Sequence, residues 1–199
     1  MMSIARLLLG LILWLQPVAA IGQLKCELPN IKGVASIRTE GRMYLAIWRH
    51  TAEKDLLDIY DSHQCTESSR VASFEDTGIW WQSLSAIEDG AIVGFQVRTT
   101  VEEGWYGATK LFMYDGKKFN KSYASGEISE VTDLNGDGFP EVLEFLGNKG
   151  DPTGKVRVHV WRGSTFDMLT TVTANKLYSS KLIALLNSRE SQSRADPYR

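Results

Sequence analysis

Residues 132–146 read TDLNGDGFPEVLEFL, and the reading of their flanks decides the fold. Asp133, Asn135 and Asp137 place oxygen-bearing side chains at alternate positions, Gly138 permits a sharp turn, the Phe139 carbonyl can face inward, and Glu141 adds a carboxylate. A hard cation of the size of calcium takes about six to eight oxygens on a tightly turning backbone. The spacing therefore predicts a calcium loop. Glu144 falls at the twelfth position of that loop, where a helix-loop-helix site would need a ligand, but the flanks do not supply the helices. KSYASGEISEVT before the loop holds Gly126 and β-branched residues, and VLEFL after it runs straight into Gly147, too soon for an exit helix. ISEV and EVLEFL read as strands, which places the loop in a β-hairpin.

Over residues 131–145 the chain resembles the integrin-type FG-GAP and VCBS repeats, in which DxNGDGxxD/E sits in a β-hairpin and calcium is held by loop carboxylates and a carbonyl. Glu141 stands where those repeats usually carry aspartate. The resemblance implies a site made of Asp133, Asn135, Asp137, the Phe139 carbonyl and Glu141, with Glu144 a strand residue and no ligand.

The same turn recurs upstream. Glu40-Gly41-RMYLAIWR, Asp89-Gly90-AIVGFQVR and Asp137-Gly138-FPEVLEFL align as three acid-glycine turns, each opening a strand, with the glycines 49 and 48 residues apart. Each unit continues through a variable loop into a second strand: DLLDIYDSHQ, ATKLFMYDGKKF and GKVRVHVWRGSTF, with Tyr60, Tyr114 and Trp161 in equivalent places. A period of roughly 40 to 50 residues with several strands per unit is the signature of propeller-type blades. The repeats span about 34–75, 84–124 and 129–172, and only the third has the full ligand set. Closed propellers have about four to eight blades. The expected architecture is therefore an all-β domain over 21–187 with three propeller-like repeats, an incomplete or open propeller. A strand from 22–34 or the C-terminal segment would close it, and a twisted β-sandwich is the alternative.

The N-terminus predicts export. Residues 1–20 hold one cation, Arg6, then the apolar run LLLGLILWL, Pro17 and the small-residue end Val18-Ala19-Ala20. The run is too short to span a bilayer and suits a cleaved signal peptide. No second apolar segment follows, so no stable membrane insertion is expected after cleavage, and the protein is expected to be secreted or periplasmic. Cleavage removes one base, leaving a charge of 21 minus 24, or −3. No basic stripe points to nucleic acid. An isolated cysteine pair in an oxidising compartment predicts a Cys26–Cys65 disulfide. The weaker alternative is a reactive Cys65 beside His63.

Toward the C-terminus, residues 173–189 can form a short amphipathic helix with Leu177, Leu182, Leu185 and Leu186 as its apolar residues. It would cover an exposed sheet edge. The polar tail over 188–199 reads as disordered. For catalysis the chain offers His50, His63 and His159 but no HExxH, GxSxG or phosphate-binding glycine loop, so no catalytic residue is assigned. Trp80-Trp81 and Trp105-Tyr106 lie in or beside turns, and successive strand residues point to opposite faces. Trp81, Trp105 and Tyr106 are thus candidate ligand-binding aromatics, set against a packing role between sheets. The function expected is a calcium-binding, non-catalytic interaction module for a protein or carbohydrate ligand. A carbohydrate-active hydrolase or lyase using loop carboxylates, such as Glu102-Glu103 or Asp58-Asp61, is the competing reading.

Overall fold

The runs MYLAIW, KLFMY and EVLEFL carry apolar side chains on both faces of an extended chain, and only strands covered from two sides can bury them. In the structure, a computed structural model that describes residues 26–51, 54–61, 64–77, 80–88, 90–100, 109–147 and 149–194, these runs are interior strands of three separate sheets. Each sheet is an open, four-stranded antiparallel meander. The first holds β1 (Ile31–Thr39), β2 (Arg42–His50), β3 (Lys54–Tyr60) and β4 (Arg70–Thr77). The second holds β5 (Trp80–Ile87), β6 (Gly94–Thr100), β7 (Thr109–Tyr114) and β8 (Phe119–Ser125). The third holds β9 (Ile128–Thr132), β10 (Glu141–Leu146), β11 (Lys155–Trp161) and β12 (Phe166–Thr173).

The turns follow from local chemistry. Glu40 and Gly41, at φ of 51° and 74°, form a two-residue connection that pairs Thr39 with Arg42, the twist-matching hairpin turn that requires positive φ at both positions. Gly41, Gly90 and Gly138 each lie between the first strand and the second of a sheet, and Tyr60, Tyr114 and Trp161 each end the third strand. MYDGKKF and VWRGSTF are hairpins: Tyr114 pairs with Phe119, and Trp161 with Phe166. In the first of them Asp115 accepts the backbone N–H groups of Lys117 and Lys118.

The sheets lie in chain order as a stack with four apolar layers. Tyr44, Ala46, Trp48, Leu57 and Ile59 of the first sheet meet Phe95, Val97, Phe112 and Phe119 of the second. On the opposite face of the second sheet, Leu111, Met113 and Tyr123 meet Val142 and Phe166 of the third. Alternation along one strand makes this possible: Phe112 faces one seam while Leu111 and Met113 face the other. Full burial of such a side chain stabilises by about 1.5–3 kcal/mol.

Both outer faces are covered. Over the first sheet, Leu45, Ile47 and Tyr60 are capped by Leu28, Ile31 and the Cys26–Cys65 disulfide, whose Cα atoms are 5.0 Å apart. Cys65 is therefore a structural half-cystine and not a free thiol. Over the third sheet, Leu143, Phe145, Val156 and Val158 pack against Leu177, Leu182 and Leu186. Two expectations change here. Residues 31–34 begin the first strand of the first sheet rather than adding a closing strand. The C-terminal helix α1 is Ser180–Arg194, starting later than 173 and extending over 188–194 of the stretch expected as a disordered tail, the rest of which lies outside the described residues. Ser179 accepts the Leu182 N–H at its start. The polar segment RESQSR contains good helix formers and no glycine or proline, so a docked first half propagates through it. Residues 1–20, where a signal peptide is expected, lie outside the described residues. Among the described residues no helix is long and apolar enough to cross a membrane.

Candidate metal centre

The β9–β10 ladder closes at Thr132 and Glu141, and residues 133–140 bridge it. Asp133 organises the turn. Its Oδ1 accepts the Gly136 and Asp137 N–H groups at 2.7 and 3.2 Å, and its Oδ2 accepts that of Gly138 at 2.9 Å. Asp137 Oδ1 accepts the Phe139 N–H at 2.6 Å, and Asp137 Oδ2 accepts a hydrogen from Asn135 Nδ2 at 2.5 Å. Glu141 opens β10 and lies beneath the loop, only 3% exposed, with Oε2 accepting the Leu134 N–H at 2.8 Å. Leu134, between two ligand positions, is itself part of the apolar layer under α1. Phe139 packs its ring into the seam between the second and third sheets.

Burial, first, and then the charges of Asp137 and Asp133 push the Glu141 carboxyl up from 4.5 to about 7, against the pull of the Leu134 N–H. The native chain thus holds a proton that the unfolded chain has released between these two values. Stability from this group is complete below pH 4.5 and is lost as pH rises through 7, by on the order of 3 kcal/mol. Melting in chelator at pH 5 and pH 8 should show this loss in the parent and not in Glu141→Gln. Equal pH dependence in the two proteins would refute it.

The donor set suits a hard cation: three carboxylates and an amide on one short loop. Asn135 Oδ1 is buried without a hydrogen-bond partner, an acceptor that a cation would satisfy. Among the described residues, however, no three acidic, histidine or cysteine side chains are gathered as a metal cage. The reason is geometric: Asp133 and Glu141 aim oxygens at backbone N–H groups, and Asp137 takes one from the Asn135 amide. Coordination would require the Asn135 amide and the Asp137 carboxylate to turn, which two short side chains do without moving the backbone. On that basis the residues fit calcium, with Asp133, Asn135, Asp137 and Glu141 as side-chain ligands.

Glu144 lies elsewhere. It points into the seam between the second and third sheets, where Ser125 donates to it and Arg157 Nη1 and His159 Nε2 stand at 3.2 Å. Burial alone would raise this carboxyl, but those hydrogen bonds outweigh it and hold the pKa below the ordinary value. His159 is accordingly a half-buried hydrogen-bond partner of Glu144. Asp58 of the candidate acid pair is fully buried, paired with Arg49 and accepting the Ser73 hydroxyl. Asp55 accepts from Trp48 Nε1 at 2.9 Å and lies 3.0 Å from His50 Nδ1. Lys110 crosses the first seam to Asp76, and burial and then Lys121 lower its pKa. Each of these buried carboxylates has a basic side chain against it.

Trp81 belongs to β5 by its backbone, while Trp105, Tyr106 and Glu102-Glu103 lie outside the described residues. Two contacts at the loop have no counterpart in the sequence reading. Asn187 of α1 accepts a hydrogen from Asn135 at 3.0 Å. Ala91, beside the acid-glycine turn of the second sheet, donates its N–H to the Gly138 carbonyl at 2.5 Å. Both join segments far apart in the chain, and no local spacing announces them. No family model, curated protein or solved structure matches this chain.

Proposed function

We propose that this chain is an exported calcium-binding repeat protein of the FG-GAP or VCBS kind, whose three sheets are blades of an open propeller. In this reading it holds a protein or carbohydrate ligand and performs no catalysis. The observation that carries the reading is that Asp133, Asp137 and the buried Glu141 share one short loop with an Asn135 side-chain oxygen that has no partner. Like charges held together at a buried carboxylate favour a divalent cation among them. The shared turn position in all three sheets supports the blade assignment. Export is supported by the composition of residues 1–20 and by the disulfide, which persists in oxidising compartments. The hydrogen-bonded carboxylates at Asp55, Asp58 and Glu144, each held against other side chains, speak for structural roles rather than acid–base chemistry.

Calcium-dependent melting tests the reading. Extracellular calcium modules bind at about 10⁻⁴ to 10⁻³ M, so ~10 mM calcium should add about 1.4 to 2.7 kcal/mol. In a chain of this size that is a rise of roughly 3–10 °C in Tm. Asp137→Ala should abolish the rise. Glu144→Gln should melt earlier than the parent yet keep the full calcium increment, because Glu144 faces Ser125 and His159. A calcium increment lost with Glu144→Gln, or absent in the parent, would remove the proposal.

A further inference from the structure

The loop and the C-terminal helix are joined by a polar contact at the rim of an apolar one. Leu134 contributes to the layer formed with Leu182 and Leu186, which stand four residues apart on one stripe of α1. Ile183, partly buried on the flank of that stripe, is one turn before Asn187. The helix thereby brings the exposed Asn187 side chain to the rim of the loop. There its Oδ1 takes a hydrogen from Asn135 Nδ2 at 3.0 Å, across 52 residues of chain.

The Asn135 amide gives one hydrogen to Asp137 Oδ2 at 2.5 Å and the other to Asn187 Oδ1. Its own oxygen, turned away, is buried without a partner, which leaves its desolvation uncompensated. Reversing the amide would satisfy nothing by itself, because its oxygen would then face two other oxygens. A divalent cation among the three removes that repulsion and uses the orphaned acceptor. Asn135 Nδ2 already stands 2.5 Å from Asp137 Oδ2 and 3.0 Å from Asn187 Oδ1, within reach of one calcium ion held at about 2.3–2.6 Å from each oxygen.

We propose that Asn187 is a ligand contributed by the helix to the calcium site, so that cation binding at residues 133–141 and docking of α1 on the third sheet are one equilibrium. The inference rests on the calcium reading above and adds a residue and a consequence to it. Calcium tightens the cap over Leu143, Phe145, Val156 and Val158, and loss of calcium loosens that cap first. The two processes strengthen each other reciprocally, as linkage requires.

Calorimetric titration of the full chain with calcium chloride, paired with hydrogen exchange of the α1 amides, tests this. Asn187→Ala is expected to weaken calcium binding about tenfold and to remove the calcium-dependent slowing of exchange in α1. Asn187→Asp is expected to restore affinity to the parent's level or beyond, since a carboxylate supplies both oxygen and charge. Asn187 is exposed, so neither variant threatens the fold. Parent-like affinity in Asn187→Ala, or equal losses in the alanine and aspartate variants, overturns the inference and leaves the calcium reading standing. No binding heat in the parent overturns both.

Discussion

Gly90→Ala is expected to destabilise this protein by about 4 kcal/mol, combining backbone strain with overpacking of about 1–3 kcal/mol each. Gly90 has a φ of 111°, where a side chain is strained, and a Cβ built on it would stand 2.2 Å from the Gly138 carbonyl oxygen. That oxygen is the acceptor for the Ala91 N–H. Relief would have to come from the backbone of the loop at Gly138 or of its neighbour, since no flexible side chain is available to move. Gly116→Ala is the matched control: its φ is 87°, but nothing lies within 4 Å of the added methyl. It should cost only about 1 kcal/mol. Denaturant unfolding of both variants measures the difference. Similar losses would show that the turns of the second and third sheets are not held against each other in solution.

The second large effect is at the opposite end of the stack. Removing the disulfide by Cys26→Ser with Cys65→Ser should cost about 4 kcal/mol in the chain-entropy treatment of a loop this long. The sequence separation is 39 residues. The same change frees the segment over Leu45, Ile47 and Tyr60, so apolar surface should become accessible to a hydrophobic dye before global unfolding. Calcium affinity should not change, because two sheets separate the disulfide from the metal loop. A calcium affinity that falls with the disulfide would contradict the layered arrangement. A stability loss below about 1 kcal/mol would show that the link constrains little of the unfolded chain.

Much of the fold was legible because its determinants are local. A two-residue acid-glycine turn, a hairpin such as MYDGKKF, and an apolar run that must be covered twice are each decided within about ten residues. The candidate site was legible for the same reason: all five expected ligand positions fall between Asp133 and Glu141. The C-terminal helix begins and ends later than its apolar spacing predicts, because polarity alone does not end a helix. Whether RESQSR continues a helix depends on the docking of Leu182 and Leu186 upstream of it.

The sequence by itself determined the all-β class, the acid-glycine turns and hairpins, the period that divides the chain into three units, and the oxygen-rich residues of the loop. The tertiary structure alone decided which seam each face enters, which carboxylate is buried with a base and which with other acids, and what closes the two ends. Glu141 and Glu144 are three residues apart and both buried, yet burial and neighbouring acids raise the first while Ser125, His159 and Arg157 lower the second. Opposite faces of one strand carry them into different surroundings, and those surroundings are built by residues distant in the chain. Asn187 meets Asn135 and Gly90 meets Gly138 for the same reason. Such contacts follow from how whole sheets and a helix stack, and a spacing rule that reads neighbouring residues carries no term for them.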